Sequence, residues 1–199
     1  MTDKRAARRE RLRENLVQAA HRRVGEDGLS ALRARDLASE VGCALGAIYT
    51  VFDDLDALAL AVNLRTLERL NDALETVRLD EGSSDPADRL VALAHAYCDF
   101  AAANPNHWRA VFELRLPKDT PLPAPFSQQR DALFQQIAEP LAALMPEAGD
   151  EALALRARTL FSAVHGIVAF WLEERFEGSD AEVTRNELEA LIRAYGRGT

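Results

Sequence analysis

The sequence predicts an all-α fold of about nine helices, with an N-terminal helix-turn-helix domain and a C-terminal helical body. Composition is the first reason. Alanine and leucine dominate the 199 residues, while glycine (10) and proline (8) are few, a mix that favours helix. Periodicity is the second: apolar residues recur three or four apart almost end to end, and no stretch alternates as a strand would. The third is a sharp break at Val41-Gly42-Cys43 between two periodic pieces, each barely two turns long. Such short helices are marginal alone and must be held at a fixed angle by their neighbours.

The first helix runs from about Lys4 to Glu26, with Leu12, Leu16, Ala19, Ala20 and Val24 on one stripe. Gly25 weakens its last turn and Gly28 ends it. The second covers about Ala34 to Val41, and Gly42 stops it. The third covers about Leu45 to Val51. A long fourth helix opens at Asp53 or Asp54, either of which can cap its first turn, and carries Leu60, Leu64, Leu67, Leu70 and Leu74 to about Arg78. "DEGSSDPAD" is a loop, and Pro86 suits the first turn of a fifth helix that reaches Ala103. A short helix "HWRAVFEL" follows Asn104-Pro105. "PKDTPLPAP", with four prolines, is a surface loop. Helices then cover about Phe126 to Leu144, with Pro140 as a kink or break, Glu151 to Glu174, and Glu182 to Tyr195. The domains divide as 1–53 and 54–199.

The chain carries a net charge of −8, unevenly distributed. Residues 1–25 hold eight basic and three acidic residues, a net +5, so the rest carries −13. A basic end on an acidic body is the asymmetry expected for a polyanion partner, and a solvated tail is the alternative. Cys43 and Cys98 have no CxxC spacing, which suits a reducing compartment. The charged N-terminus is unlike a signal peptide, and no uninterrupted apolar run reaches the ~18 residues of a membrane span. A cytoplasmic protein with no membrane partner is expected. His95, Cys98 and Asp99 lie within about one turn of one another, yet without a second cluster they do not make a metal site. No nucleophile motif, phosphate loop or HExxH occurs. Neither an enzyme nor a cofactor is expected.

The break at Gly42 is the informative feature. Two short helices meeting near a right angle across a glycine turn can place the second in the DNA major groove. Leu37, Ala38, Val41, Ile48 and Phe52 form the joint core. Ala44, Leu45, Gly46, Ala47, Tyr49 and Thr50 are left to face a duplex, where Tyr49 can reach a phosphate and Thr50 a phosphate or base. Arg33 and Arg35 flank them. Arg5, Arg8 and Arg9 form a basic arm that enters the minor groove or remains a solvated tail.

The segment "ARDLASEVGCALGAIYTVFDDLDALALAV" resembles the DNA-binding region of the tetracycline-repressor (TetR) family of bacterial transcription regulators. Arg35, Leu37, Ala38, Val41, Gly42, Gly46, Ile48, Tyr49, Phe52 and Leu58 stand where that pattern has its own. Arg33 replaces a usual Thr, Ala44 a Ser and Leu55 a Lys, so polar capping and phosphate contacts are lost. The resemblance implies a homodimer binding a double-stranded, (pseudo)palindromic operator and released by a small apolar or amphipathic effector, as a repressor. It implies a body that dimerises through its last two helices, with Ala163, Gly166, Phe170, Leu191 and Tyr195 at the contact, Gly166 admitting a close helix crossing. It also implies an effector pocket among the fourth to eighth helices, with Leu67, Asn71, Tyr97, Phe100, Trp108, Phe112, Phe134 and His165 as candidate lining. For these aromatics and for His165, plain core packing is the alternative. The competing function is a helical small-molecule-binding protein that keeps the fold and binds DNA weakly or not at all.

Overall fold

The computed structural model describes residues 2–78, 85–117, 120–173 and 180–197, with the side chains of residues 2, 3, 78 and 197 left out. Among them are nine α-helices and one short 3-10 turn, and no strand. They are α1 (Thr2–Asp27), η1 (Leu29–Ala31), α2 (Ala34–Val41), α3 (Leu45–Ile48), α4 (Leu55–Arg78), α5 (Pro86–Ala103), α6 (Pro105–Glu113), α7 (Ala124–Leu144), α8 (Asp150–Leu172) and α9 (Ala181–Arg197). The expected loop at 80–88 lies largely outside the described residues, as do Glu174 and two residues of the proline-rich loop.

The chain forms two compact units. One comprises Met1–Leu67 and Asn104–Phe126, the other Glu68–Ala103 and Ser127–Thr199. The first is therefore larger than residues 1–53. It takes in the first half of α4, all of α6 and the proline-rich loop.

In the first unit, α1 buries Leu16, Val17, Ala19, Ala20 and Val24 against Leu37, Ala38, Ile48, Phe52, Leu58, Val62 and Ala110. Asn63 fastens α4 to α6 by donating Nδ2–H to the Ala110 carbonyl at 2.9 Å. Gly25 has a reason that the sequence hides. A Cβ there would lie 2.6 Å from Cε1 of His107, whose ring stacks on His21 at 4.0 Å and bonds the His21 carbonyl oxygen at 2.8 Å. Asn106 adds hydrogen bonds to the Gly25 and Glu26 carbonyls. The glycine that weakens α1 thus admits the side chain that docks α6.

In the second unit, α5, α8 and α9 pack together, and α7 shares with them the wall of an apolar cavity. Asp85 and Asp180 cap α5 and α9, accepting from the Ala87 and Val183 amides at 2.8 Å. Arg193 bridges Asp88 and Glu189, and Arg185 pairs with Asp99. Pro140 does not break α7, which continues through it to Leu144.

Candidate nucleic-acid interface and effector cavity

The elbow is built from the backbone upward. Gly42 takes φ 70° and ψ 38°, a left-handed conformation that glycine adopts without steric cost. Its amide bonds the Ser39 carbonyl at 3.3 Å, and the Cys43 amide bonds that of Ala38 at 2.9 Å. This paired arrangement satisfies the last carbonyls of α2. The third helix is shorter than expected. α3 ends at Ile48, and residues to Val51 tighten into turns as Thr50 and Val51 bond back to Ala47 and Ile48. Asp54, rather than Asp53, caps α4, accepting from the Ala57 amide at 2.7 Å.

Ala44, Leu45, Gly46, Tyr49 and Thr50 are exposed, Tyr49 by 50 %, and Ala47 is half-buried. Ile48, between them, is completely buried. Thr50 is already engaged: its hydroxyl donates to the Ala47 carbonyl at 2.7 Å, and its own carbonyl accepts from Arg9 Nε at 2.9 Å. A phosphate, which only accepts, would have to displace the first of these bonds to gain the Thr50 proton. Arg33 occupies the N-cap of α2 and Ala44 that of α3, and neither side chain makes a capping bond. Leu55 packs against the core.

Arg5, Arg8 and Arg9 are helical residues of α1 in place of a loose arm. With Arg11 they line an open groove of about 1170 Å³, whose other wall includes Gly42, Cys43, Ala44, Ala47 and Thr50. Arg11, Asn15 and Cys43 were not singled out from sequence; the i, i+3, i+4 spacing of the arginines was the signal that they share a face. Arg13 lies over the Phe52 ring at 5.1 Å. Arg22 and Arg23 clamp Glu40 of α2 at 2.8 and 2.6 Å, and the hydrogen bonds of Arg23, then of Arg22, hold the Glu40 carboxyl below its usual range. Arg33 and Arg35 are exposed.

The second unit encloses an apolar cavity of about 50 Å³, walled by Leu70 and Leu74 of α4, Leu93 and Tyr97 of α5, Leu133 of α7 and Phe161 of α8, among others. Of the expected lining residues, Tyr97 is at the wall. Its hydroxyl lies 2.8 Å from His165 Nδ1, and burial pushes the His165 imidazole pKa down. Phe161 stacks on His165 at 5.7 Å and meets Phe134 edge-on at 5.4 Å. Asn71 bonds Gln129 and Gln136. Phe100 is buried on α5. Leu67, Trp108 and Phe112 lie in the first unit, so they do not line this cavity. Its leucines were passed over in favour of aromatics, since leucine spacing alone does not distinguish a cavity wall from a filled core.

α8 is long and apolar enough, by length and composition, to cross a membrane, yet only 22 % of its most apolar window is buried within the chain. Leu155 (61 %) and Phe170 (48 %) are exposed on it, and Val183 is exposed on α9. Ala163, Gly166, Leu191 and Tyr195 are half-buried, Tyr195 lying beneath Arg156. Among the described residues a Cβ at Gly166 would meet nothing within 4 Å, so the close crossing expected there between two subunits has open space to occupy.

Comparison with known proteins accords with this architecture. Residues 90–195 match the tetracyclin repressor-like, C-terminal domain family. The HTH-type transcriptional regulator Rv1816 of Mycobacterium tuberculosis is 25 % identical over 114 residues, covering 57 % of this chain and 49 % of that protein, so the match spans about half of the relative's length. A protein of unknown function from Rhodococcus sp. RHA1 superposes with a TM-score of 0.72 at 25 % identity over 94 % of both chains. FadR of Bacillus subtilis, solved in complex with stearoyl-CoA, shares the fold with a TM-score of 0.66 at 14 % identity, over 90 % of this chain and 96 % of that one. With more than half of its length matched by the family's C-terminal domain, the chain belongs to the tetracycline-repressor family of transcriptional regulators, which is not an enzyme class.

Proposed function

We propose that the protein is a ligand-responsive repressor that binds a (pseudo)palindromic operator as a homodimer and leaves it when a small apolar or amphipathic effector occupies the body. The observation that carries this reading is the elbow at Gly42. It turns α3 outward beside the arginine-lined groove while Ile48 anchors it from behind. Leu45, Gly46, Ala47 and Tyr49 then face the major groove, and Arg5, Arg8, Arg33 and Arg35 hold phosphates. Two reading helices roughly 34–36 Å apart or slightly more would match half-sites about one DNA turn apart. A second copy is the cover that the apolar face of α8 and α9 calls for, with the open space at Gly166 leaving room for it. Action on DNA places the protein in the cytoplasm.

In this scheme the effector works by binding one state of the body better than the other. α4 carries Leu58 and Val62 in the first unit's core and Leu70 and Leu74 at the cavity, so one continuous helix serves both.

Fluorescence anisotropy with the DNA upstream of the protein's own gene tests the reading. Affinity should fall steeply between about 50 and 200 mM salt, as each neutralised phosphate adds close to one unit to the log–log slope. The competing reading, a fold retained without DNA binding, draws on Ala44 and Leu55, which offer no polar contact. A flat salt plot, or no binding to any sequence in a selection from random DNA, would favour it.

A further inference from the structure

Little holds α3 in place. Ile48 is its one fully buried residue. The bonds that close its far end, from the Thr50, Val51 and Phe52 amides and the Thr50 hydroxyl, all return to α3 itself. Among the described residues, one hydrogen bond from another helix reaches residues 44–52: Arg9 of α1 donates Nε–H to the Thr50 carbonyl at 2.9 Å. Burial is non-directional, so it sets how deep a short helix sits and does little to set its rotation. A hydrogen bond is directional. This one is attached one residue beyond Tyr49, which is 50 % exposed, and so fixes the direction in which Tyr49 leaves the backbone. One turn further along α1, Arg13 lies over the Phe52 ring and steadies the same end.

A guanidinium carries five N–H donors in one rigid plane. Arg9 commits its Nε–H to Thr50, and its Nη donors have no partner among the described residues. Its side chain also lines the arginine groove, where the Nη donors can meet a phosphate. Arg5 and Arg8 line the same groove, and neither hydrogen-bonds α3 among the described residues.

We propose that Arg9 is the positioning residue that ties phosphate contact to base reading: its Nε fixes the end of α3 through the Thr50 carbonyl while its Nη edge holds a phosphate, so that one rigid plane sets the duplex backbone at a fixed distance from Tyr49. The inference rests on the reading of α3 as the DNA-reading helix. Phosphate contacts set affinity and by themselves carry no sequence information. Through Arg9 one of them gains a share in specificity. A lysine there would keep the charge, but its ammonium is a compact point charge on a flexible stem and cannot hold two partners at a set angle.

The test uses the full chain with Arg9→Lys, Arg5→Lys and Tyr49→Phe. Anisotropy gives the affinity of each for an operator selected from random DNA and for a random-sequence duplex of the same length. In Arg9→Lys, affinity for the random duplex and its salt slope should hold, because the charge is kept, while operator affinity falls about tenfold, the share of one hydrogen bond. Arg5→Lys should change both affinities by the same factor and leave their ratio alone. Tyr49→Phe should weaken operator binding less in the Arg9→Lys background than by itself, since residues that act through one geometry are not additive. In the DNA-free protein, Arg9→Lys should move the amide NMR signals of residues 49–52 and Arg5→Lys should not. An operator-to-random ratio unchanged in Arg9→Lys, a ratio that falls as far in Arg5→Lys, additive costs of Arg9→Lys and Tyr49→Phe, or unmoved amide signals would each overturn the proposal. Arg9 is exposed, so Tm should hold; a lowered Tm in Arg9→Lys would mark a brace for the whole head and overturn the role in reading. Failure of the repressor reading looks different. The unaltered chain would then bind no DNA, which removes the role of Arg9 in reading even where the amide signals move as described.

Discussion

The first unit, the head, and the second, the body, treat their interiors in opposite ways. In the head, Leu16, Leu37, Ile48 and Leu58 have no exposed surface, Arg22 and Arg23 clamp Glu40 across the α1–α2 contact, and Arg13 closes over Phe52. In the body, leucines stand around a cavity, a buried glutamine carbonyl has no donor among the described residues, and the most apolar helix buries few of its residues completely. A tightly packed core transmits strain and holds one geometry. Incomplete packing leaves a region able to open at low cost. The difference suits the proposed function, in which the head keeps α3 at one angle to fit a rigid duplex and the body changes when a ligand arrives.

The sharpest break of this comparison is a pair of truncations. Ile48→Ala should destabilise the protein by about 2–5 kcal/mol and abolish operator binding, because α3 loses its only fully buried anchor. Leu133→Ala, at a wall that already faces empty space, should cost only about 1 kcal/mol. Chemical denaturation gives both values, and equal costs would mean that the two regions are packed alike.

Smaller in effect is the removal of Arg5 and Arg8. The double alanine variant should lower operator affinity roughly tenfold at 0.1 M salt and reduce the salt slope by about two, with Tm unchanged because both side chains are exposed. A displaced Tm would show that the arginines brace the head instead of meeting DNA. Tyr49→Phe should weaken binding by a few-fold, the worth of one hydrogen bond. Thr50→Ala should matter less than Tyr49→Phe, since the Thr50 hydroxyl proton is committed to Ala47; the reverse order in a gel-shift titration would show that this bond yields to phosphate.

The smallest expected effects separate the two regions by pH. Glu40, held below its usual pKa of 4.5 by Arg23 and Arg22, stabilises the head above that value and loses its contribution as pH falls through the lowered one. Glu40→Gln should therefore destabilise the protein at pH 7 and make little difference in strong acid. His165, pushed below 6.5 by burial, binds a proton more readily when the chain unfolds, so the body loses stability as pH falls from 6.5 towards the lowered value. His165→Phe should remove that slope and leave the more acidic one. Melting curves across pH 3–8 distinguish the windows, and a single shared transition would count against assigning one to each region.

Much of the head was legible because its determinants are local. The glycine at position 42, flanked by Leu37 and Ala38 on one side and Ile48 on the other, specifies both the turn and the buried face, and the structure has φ 70° there with those three residues buried. The body was legible as helices and less so as a site. Tyr97, His165 and Phe134, candidate lining residues from the sequence, meet around Phe161, and of the three Tyr97 is at the cavity wall. Trp108 and Phe112, expected with them in a pocket among the fourth to eighth helices, sit on α6, which belongs to the first unit, where Trp108 is buried.

Local chemistry along the chain was thus enough to establish the all-helical fold, the elbow at Gly42 and the basic N-terminal end, because periodicity, glycine's access to positive φ and side-chain charge act over a few residues. Packing between distant segments decided the rest. That Gly25 makes room for His107, that Gln136 is held by Asn71 with one oxygen unmet, and that leucines from four helices surround a void each depend on side chains dozens of residues apart meeting within a few ångströms, a relation no local pattern encodes.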